Sequence, residues 1–201
     1  MSSRNSSAVI TNRSPLLIDA LLPLRDARLA AVIKVVAGVA FLALLAQVRI
    51  QVGPVPITGQ TLGVLMLGAG YGATLGAGTV LAYLVTGGLG VAVFSGGAAG
   101  WAVLSGPTGG YLLAMPIAAA LVGALARRGW DRRPVSTAVA MLLGTLVIYT
   151  LGVAWLSRFA PDFATTLAWG VWPFLPGDAV KILLAAGLLP SAWRALARSR
   201  G

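Results

Sequence analysis

Apolar residues run through this chain in long unbroken stretches, without the polar face that a surface helix of a soluble protein shows every turn. Residues 29–48 (LAAVIKVVAGVAFLALLAQV), 111–126, 135–156 and 174–193 each read as a helix able to cross a bilayer, the second with a few neighbouring residues added. The stretch 56–93 is longer than one crossing needs, and hydropathy alone does not decide between one pass and two. Its Gly68, Gly72 and Gly76 fall at the spacing that lets helices pack closely.

Charge parity resolves the ambiguity. Arg4, Arg13, Arg25 and Arg28 precede the first span, Arg127, Arg128, Arg132 and Arg133 follow the span ending near 126, and Arg194, Arg198 and Arg200 follow the last. The positive-inside tendency places all three clusters in the cytoplasm, so an even number of crossings lies between 29 and 126. Region 56–93 therefore crosses twice, turning near Gly70-Tyr71-Gly72. The expectation is an all-α membrane protein of six helices with both termini inside: a 1–28 cytoplasmic tail and a 29–201 membrane domain. Residues 16–24, bounded by Pro15 and interrupted by Pro23, form either a short helix on the membrane surface or a flexible tail. The outer loops, 49–60, 93–110 and 158–173, carry only Arg49, Arg158 and Asp162 as charges, and Trp155, Trp169 and Trp172 flank the last of them as expected of interfacial anchors.

Composition narrows the chemistry. The chain is 58% hydrophobic and 10% charged, where a soluble domain holds about 25% charged residues. Its net charge of +10 sits in short clusters between apolar runs, which fits topology rather than nucleic acid. Cys, His and Glu are all absent, which removes disulfides, the usual zinc sites and Cys- or His-based catalysis. The two lysines, Lys34 and Lys181, follow Ile33 and Val180, so no phosphate-binding loop and no ATPase is encoded. Neither a metal nor a cofactor is expected. The first apolar run is too long for a removable signal peptide and lacks a small-residue cleavage site.

Three charges fall well inside spans: Lys34, Asp178 and Lys181. Each costs about 2.5–3.5 kcal/mol at a helix centre, so each needs a reason. Lys34 lies near the cytoplasmic end of its span, where snorkelling to the headgroups suffices. Asp178 and Lys181 lie about four and seven residues below the outer end of the last span and share one helical face at i,i+3 spacing. Either Asp178 caps the helix that starts at Pro176-Gly177, with Lys181 neutralising it, or the pair floors an outward-facing pocket. A carboxylate and an ammonium together suit a ligand with N–H donors and acceptor oxygens, such as a ureido ring.

Two loops bear on the pocket. VFSGGAAGWAVLSGPTGG (93–110) has no charge and six glycines, and irregular backbone this apolar persists at membrane depth only inside protein or along a cavity. Phe94, Trp101 and Tyr111 offer ring surface there; the alternative is a packing loop without ligand contact. PVPITGQ (54–60), with Thr58 and Gln60 as its polar groups, is either a lid or a bare turn.

The ordered motifs PVPITGQTLGVL, YGATLGAGTVLAYLVTGGLGVAVFSGG, GPTGGYL and PGDAVK resemble the BioY family, the biotin-specific substrate-capture components of energy-coupling-factor vitamin importers. The resemblance covers about residues 50–115 and 173–190. It implies a six-helix membrane protein that captures biotin from outside and docks on a transmembrane coupling protein carrying a pair of ATPases. It assigns Asp178 and Lys181 to the biotin site and carries over Phe94, Ser95, Gly96, Gly97, Thr108, Gly109 and Tyr111 from the loops; Thr58, Gln60 and Trp101 join them as candidate biotin contacts from the reading of the loops above. It also implies that small residues on the first helix, here Ala27 and Ala31, meet the coupling protein, although that spacing arises readily by chance in an alanine-rich chain. Two positions depart from the family pattern: Ala92 replaces a usual proline before Val93-Phe94, and Gly59 stands where a larger residue is usual. Two other classes stay open: capture of a different vitamin, and an intramembrane enzyme whose acid–base groups would be Asp178 and Lys181.

Overall fold

The computed structural model of the protein describes residues 16–21 and 26–198; Arg4, Arg13, Pro15, Pro23, Arg25 and Arg200 lie outside them. The element order is α1 (Leu17–Leu21), α2 (Ala27–Gln47), a hairpin of β1 (Arg49–Ile50) and β2 (Ile57–Thr58), α3 (Gln60–Gly88), α4 (Trp101–Ser105), α5 (Gly109–Ala126), α6 (Pro134–Leu156), α7 (Phe163–Gly170) and α8 (Leu175–Arg198). Single 3-10 turns occupy Ser95–Gly97 and Trp130–Arg132. Among the described residues five helices are long and apolar enough to cross a membrane: α2, α3, α5, α6 and α8.

Their starts follow local chemistry. Asp26 caps α2 by accepting from the amides of Arg28 at 2.8 Å and Leu29 at 3.1 Å. Pro134, whose missing N–H costs nothing in a first turn, opens α6. Asp162 caps α7 through the Thr165 amide at 2.7 Å.

Helix α3 is broken where the sequence predicts a turn. Gly72 adopts φ 79°, ψ 175°, a region open essentially to glycine alone. Beyond it the chain reverses: a Cβ built on Gly76 would lie 3.0 Å from the Cα of Gly68, although eight residues of continuous helix span about 12 Å. The two arms of α3 thus lie side by side. A Cβ on Gly68 would lie 2.5 Å from the Ala119 carbonyl of α5, so backbones meet directly across this interface, as small residues permit.

Helices α3 and α5 form the centre of the bundle, with α2 on one side and α6 and α8 on the other. Val64, Val80, Tyr83, Val122 and Ile148 are among its fully buried side chains. The outer faces of α2 (Leu29, Val32, Val36, Leu44) and α8 (Val180, Leu183, Leu188) leave large apolar side chains uncovered, the surface a lipid environment favours.

Two expectations change. Lys34 does not snorkel: it is 7% exposed, and its Nζ donates to Asp19 Oδ1 of α1 at 2.7 Å. Leu16 and Leu17 are buried, and Leu17–Leu21 form the short helix α1, packed against α3 and α8. The tryptophans also divide. Trp172 is exposed, as an anchor requires, whereas Trp155 Nε1 donates to the Gly106 carbonyl at 2.9 Å and Trp169 packs on Gly53 at the hairpin tip. Ala27 is exposed and Ala31 half-buried near the start of α2.

Candidate functional site

A cavity of about 250 Å3 lies among the β1–β2 hairpin, the start of α3, the loop before α4, the first turns of α5, the C-terminal half of α6 and the start of α8. That size approaches the lower end of small-molecule pockets. Asp178 and Lys181 both line it.

Their geometry separates the two roles left open by the sequence. Helix α8 is already under way at Asp178, whose amide donates to the Phe174 carbonyl at 2.8 Å. Its carboxylate does not cap the helix: Oδ1 accepts from Lys181 Nζ at 2.8 Å and Oδ2 accepts from the Tyr149 hydroxyl of α6. Lys181 also donates to Thr61 Oγ1 of α3 at 2.8 Å. Thr61, Lys181, Asp178 and Tyr149 therefore form one chain of hydrogen bonds joining three helices. Asp178 is only 5% exposed, so its charge is held by these partners rather than by water. Each carboxylate oxygen keeps a lone pair and the ammonium a third N–H, which leaves acceptors and a donor available side by side.

The remaining expected residues fall into two groups. Thr58, Gln60, Phe94, Ser95, Thr108 and Tyr111 line the cavity with the pair. Gln60 is buried with both ends of its amide engaged, accepting from Thr58 at 3.0 Å and donating to the Tyr83 hydroxyl at 2.8 Å. Tyr83 in turn donates to the Val93 carbonyl at 2.9 Å and meets the Phe94 ring edge-to-face at 5.5 Å. Phe94, 1% exposed, sits on Gly87, where any side chain would overlap its ring. The loop 93–98 is thus held rigidly against α3. Tyr111 donates to the Gly170 carbonyl at 2.9 Å and stacks on Phe174 at 6.3 Å, tying α5 to α7 and the start of α8.

Gly96, Gly97, Trp101 and Gly109 do not line the cavity. Gly96 and Gly97 take left-handed φ of 72° and 74° and shape the turn behind Ser95. Trp101, 56% exposed, lies over Gly88 on the outside of α3. Gly109 is pressed against the Leu104 carbonyl, where α4 meets α5. Gly59 packs beneath the hairpin, and a Cβ there would lie 2.9 Å from the Leu45 carbonyl.

Sequence reasoning missed Tyr149, Phe174, Arg49, Met115 and Ile148, all on the cavity wall. Tyr149 had a readable signal, the single tyrosine of the 135–156 span, and Phe174 lies one helical turn before Asp178.

The pattern characteristic of the BioY family matches residues 17–198, which includes every element of the cavity. The chain belongs to the BioY family. Among its BioY relatives are a "Probable biotin transporter BioY" of Pyrococcus horikoshii, 41% identical over 140 residues that cover 70% of this chain and 82% of the relative. A "Biotin transporter BioY" of Rhizobium etli is 36% identical over 152 residues, covering 72% of this chain and 81% of its own. The fold is similar to the crystal structure of the S-component for biotin from an ECF-type ABC transporter, with a TM-score of 0.73, 26% identity, and coverage of 85% of this chain and 94% of that one. Membership of the BioY family together with the five apolar helices makes the protein a multi-pass membrane protein.

Proposed function

We propose that this protein is the substrate-binding component of a biotin importer, not an enzyme. The observation that carries this reading is the Asp178–Lys181 pair, enclosed by Tyr149 and Thr61 and facing a cavity of ligand size in a BioY-family chain. The ureido ring of biotin presents two N–H donors flanking a carbonyl oxygen. Asp178 accepts from one of the N–H groups and Lys181 donates its remaining N–H to the adjacent carbonyl. Met115, Ile148, Phe174 and Tyr111 offer apolar and ring surface to the sulfur ring and alkyl chain, whose burial contributes about 25 cal/mol per Å2.

In this reading the chain crosses the membrane six times, with both termini cytoplasmic. The arms of α3 on either side of Gly72 each count as one passage. Both are shorter than a lipid-exposed span requires, but they run in the bundle interior between α2 and α5. The cavity then opens outward, and the arginines at 127, 128, 132 and 133 face inward. Release inside depends on a separate transmembrane coupling protein with its pair of ATPases, since this chain has no phosphate loop. Ala27 and Ala31, at the inner end of α2, are the proposed contact with that coupling protein.

The test is identification by mass spectrometry of the small molecule that co-purifies with the full chain, followed by competition with a panel of vitamins. The expected result is biotin, displaced by biotin alone. Displacement by another vitamin and not by biotin overturns the assignment.

A further inference from the structure

The cavity wall carries a cation, Arg49, with no counter-charge among the described residues. All five acidic residues are aspartates, and each is engaged elsewhere: Asp19 with Lys34, Asp26 and Asp162 at helix starts, Asp131 with Trp193, and Asp178 with Lys181. Arg49 lines the cavity from β1, is exposed, and makes no side-chain hydrogen bond or ion pair with any described residue. Its guanidinium lies against Gly96, where any side chain would overlap it, so the left-handed turn at Gly96 makes room for it. Beside that turn the Ser95 hydroxyl is buried with no hydrogen-bond partner, a state that costs free energy until an acceptor arrives.

From the Arg49 guanidinium, unpaired among the described residues, and the unsatisfied Ser95 hydroxyl, which line the same cavity as Asp178 and Lys181, we infer a second, oxyanion-binding subsite that selects ligands with a free carboxylate tail. This deepens the proposed function and rests on it. Guanidinium and carboxylate match as a two-point fork, and the serine adds a donor once its hydroxyl turns into the cavity. A ligand anchored at the floor by its ureido ring would then be read at its other end, so amide- or ester-linked forms of the vitamin are rejected. A phosphate from a lipid headgroup is the other source of an oxyanion. The carboxylate is favoured because Arg49 is on the cavity wall and its guanidinium rests on the Ser95–Gly97 turn.

The experiment titrates the purified full chain with biotin and with biotinamide, whose tail is uncharged. The same titrations use Arg49→Gln, Arg49→Lys, Ser95→Ala and Asp178→Asn, each in phosphatidylcholine and in phosphatidylglycerol nanodiscs. Wild type should prefer biotin by about 10- to 100-fold, the range of one charge-assisted contact. Arg49→Gln should abolish that preference by weakening biotin alone. Arg49→Lys should restore part of it, Ser95→Ala should reduce it, and Asp178→Asn should weaken both ligands. Equal weakening of both ligands by Arg49→Gln, or an undiminished preference, overturns the subsite. An Arg49→Gln effect seen only in phosphatidylglycerol, whichever ligand is used, assigns the cation to lipid and likewise overturns it. If wild type binds neither ligand, the proposed function itself fails.

Discussion

Tyr149 gives Asp178 a donor that a count of charges never reveals. A buried carboxylate held by one ammonium keeps rotational freedom; a second donor on its other oxygen fixes the plane in which it meets a ligand. Tyr149→Phe should therefore lower biotin affinity about 10-fold, the worth of one hydrogen bond to a charged group, and lower the melting temperature as well, because it takes a donor from a buried carboxylate. Unchanged affinity in an equilibrium titration would remove Tyr149 from the site. At this scale the sequence was legible where a residue violated its surroundings. Asp178 and Lys181 stood out because charge in an apolar run is costly, whereas Arg49 and Phe174 looked ordinary in a loop and a helix start. Their importance depends on which helices meet, and that is written in the packing.

Among elements, α3 depends most on a single position. Gly72 occupies backbone space closed to other residues, and a Cβ there would lie 2.9 Å from Leu16 Cδ1 and 3.1 Å from the Arg127 guanidinium. Gly72→Ala should destabilise the protein by about 1–3 kcal/mol, read as a lowered melting temperature in detergent. An unchanged melting temperature would contradict the reversal at this residue. The turn was readable from charge parity and close packing from the glycine spacing, but not that Gly68 and Gly76 would meet each other, because they approach only once the chain has folded back. The same limit applied to Lys34: its partner Asp19 lies 15 residues away in α1, and no helical spacing connects them.

The turn at Trp130–Arg132 joins α5, α6 and α8. There Asp131 accepts from Trp193 Nε1 at 2.6 Å while its other oxygen is buried without a partner. Burial pushes its carboxyl above the ordinary value, against the opposing pull of Trp193 and Arg132. The folded state thus binds this proton more tightly than the unfolded state. The contribution to stability is full below the ordinary carboxylate range and is lost as pH rises through the raised value. Asp131→Asn should flatten that part of the melting profile above about pH 4, and an unaltered slope would contradict it.

For the whole molecule, the account requires the cavity and the arginine clusters to face opposite sides of the membrane. The chain has no cysteine, so single cysteines report topology without background. In intact cells, Ser157→Cys should react with a membrane-impermeant maleimide and Arg133→Cys only after permeabilisation; the reverse pattern would invert the topology. The six-helix reading came from hydropathy and charge, which are properties of lengths of chain. The cavity came from contacts between residues more than 100 positions apart, such as Thr61 and Lys181, which no local pattern encodes.

The central claim is that one buried ion pair on α8 recognises the ligand's ureido ring. Titration of purified Asp178→Asn with biotin, beside wild type, tests it most directly, because the change preserves size, replaces one acceptor oxygen by a donor and leaves Lys181 without its counter-charge. A loss of affinity of 100-fold or more, about 2.7 kcal/mol, in a variant that still melts cooperatively is the predicted result. Binding at wild-type affinity would contradict it.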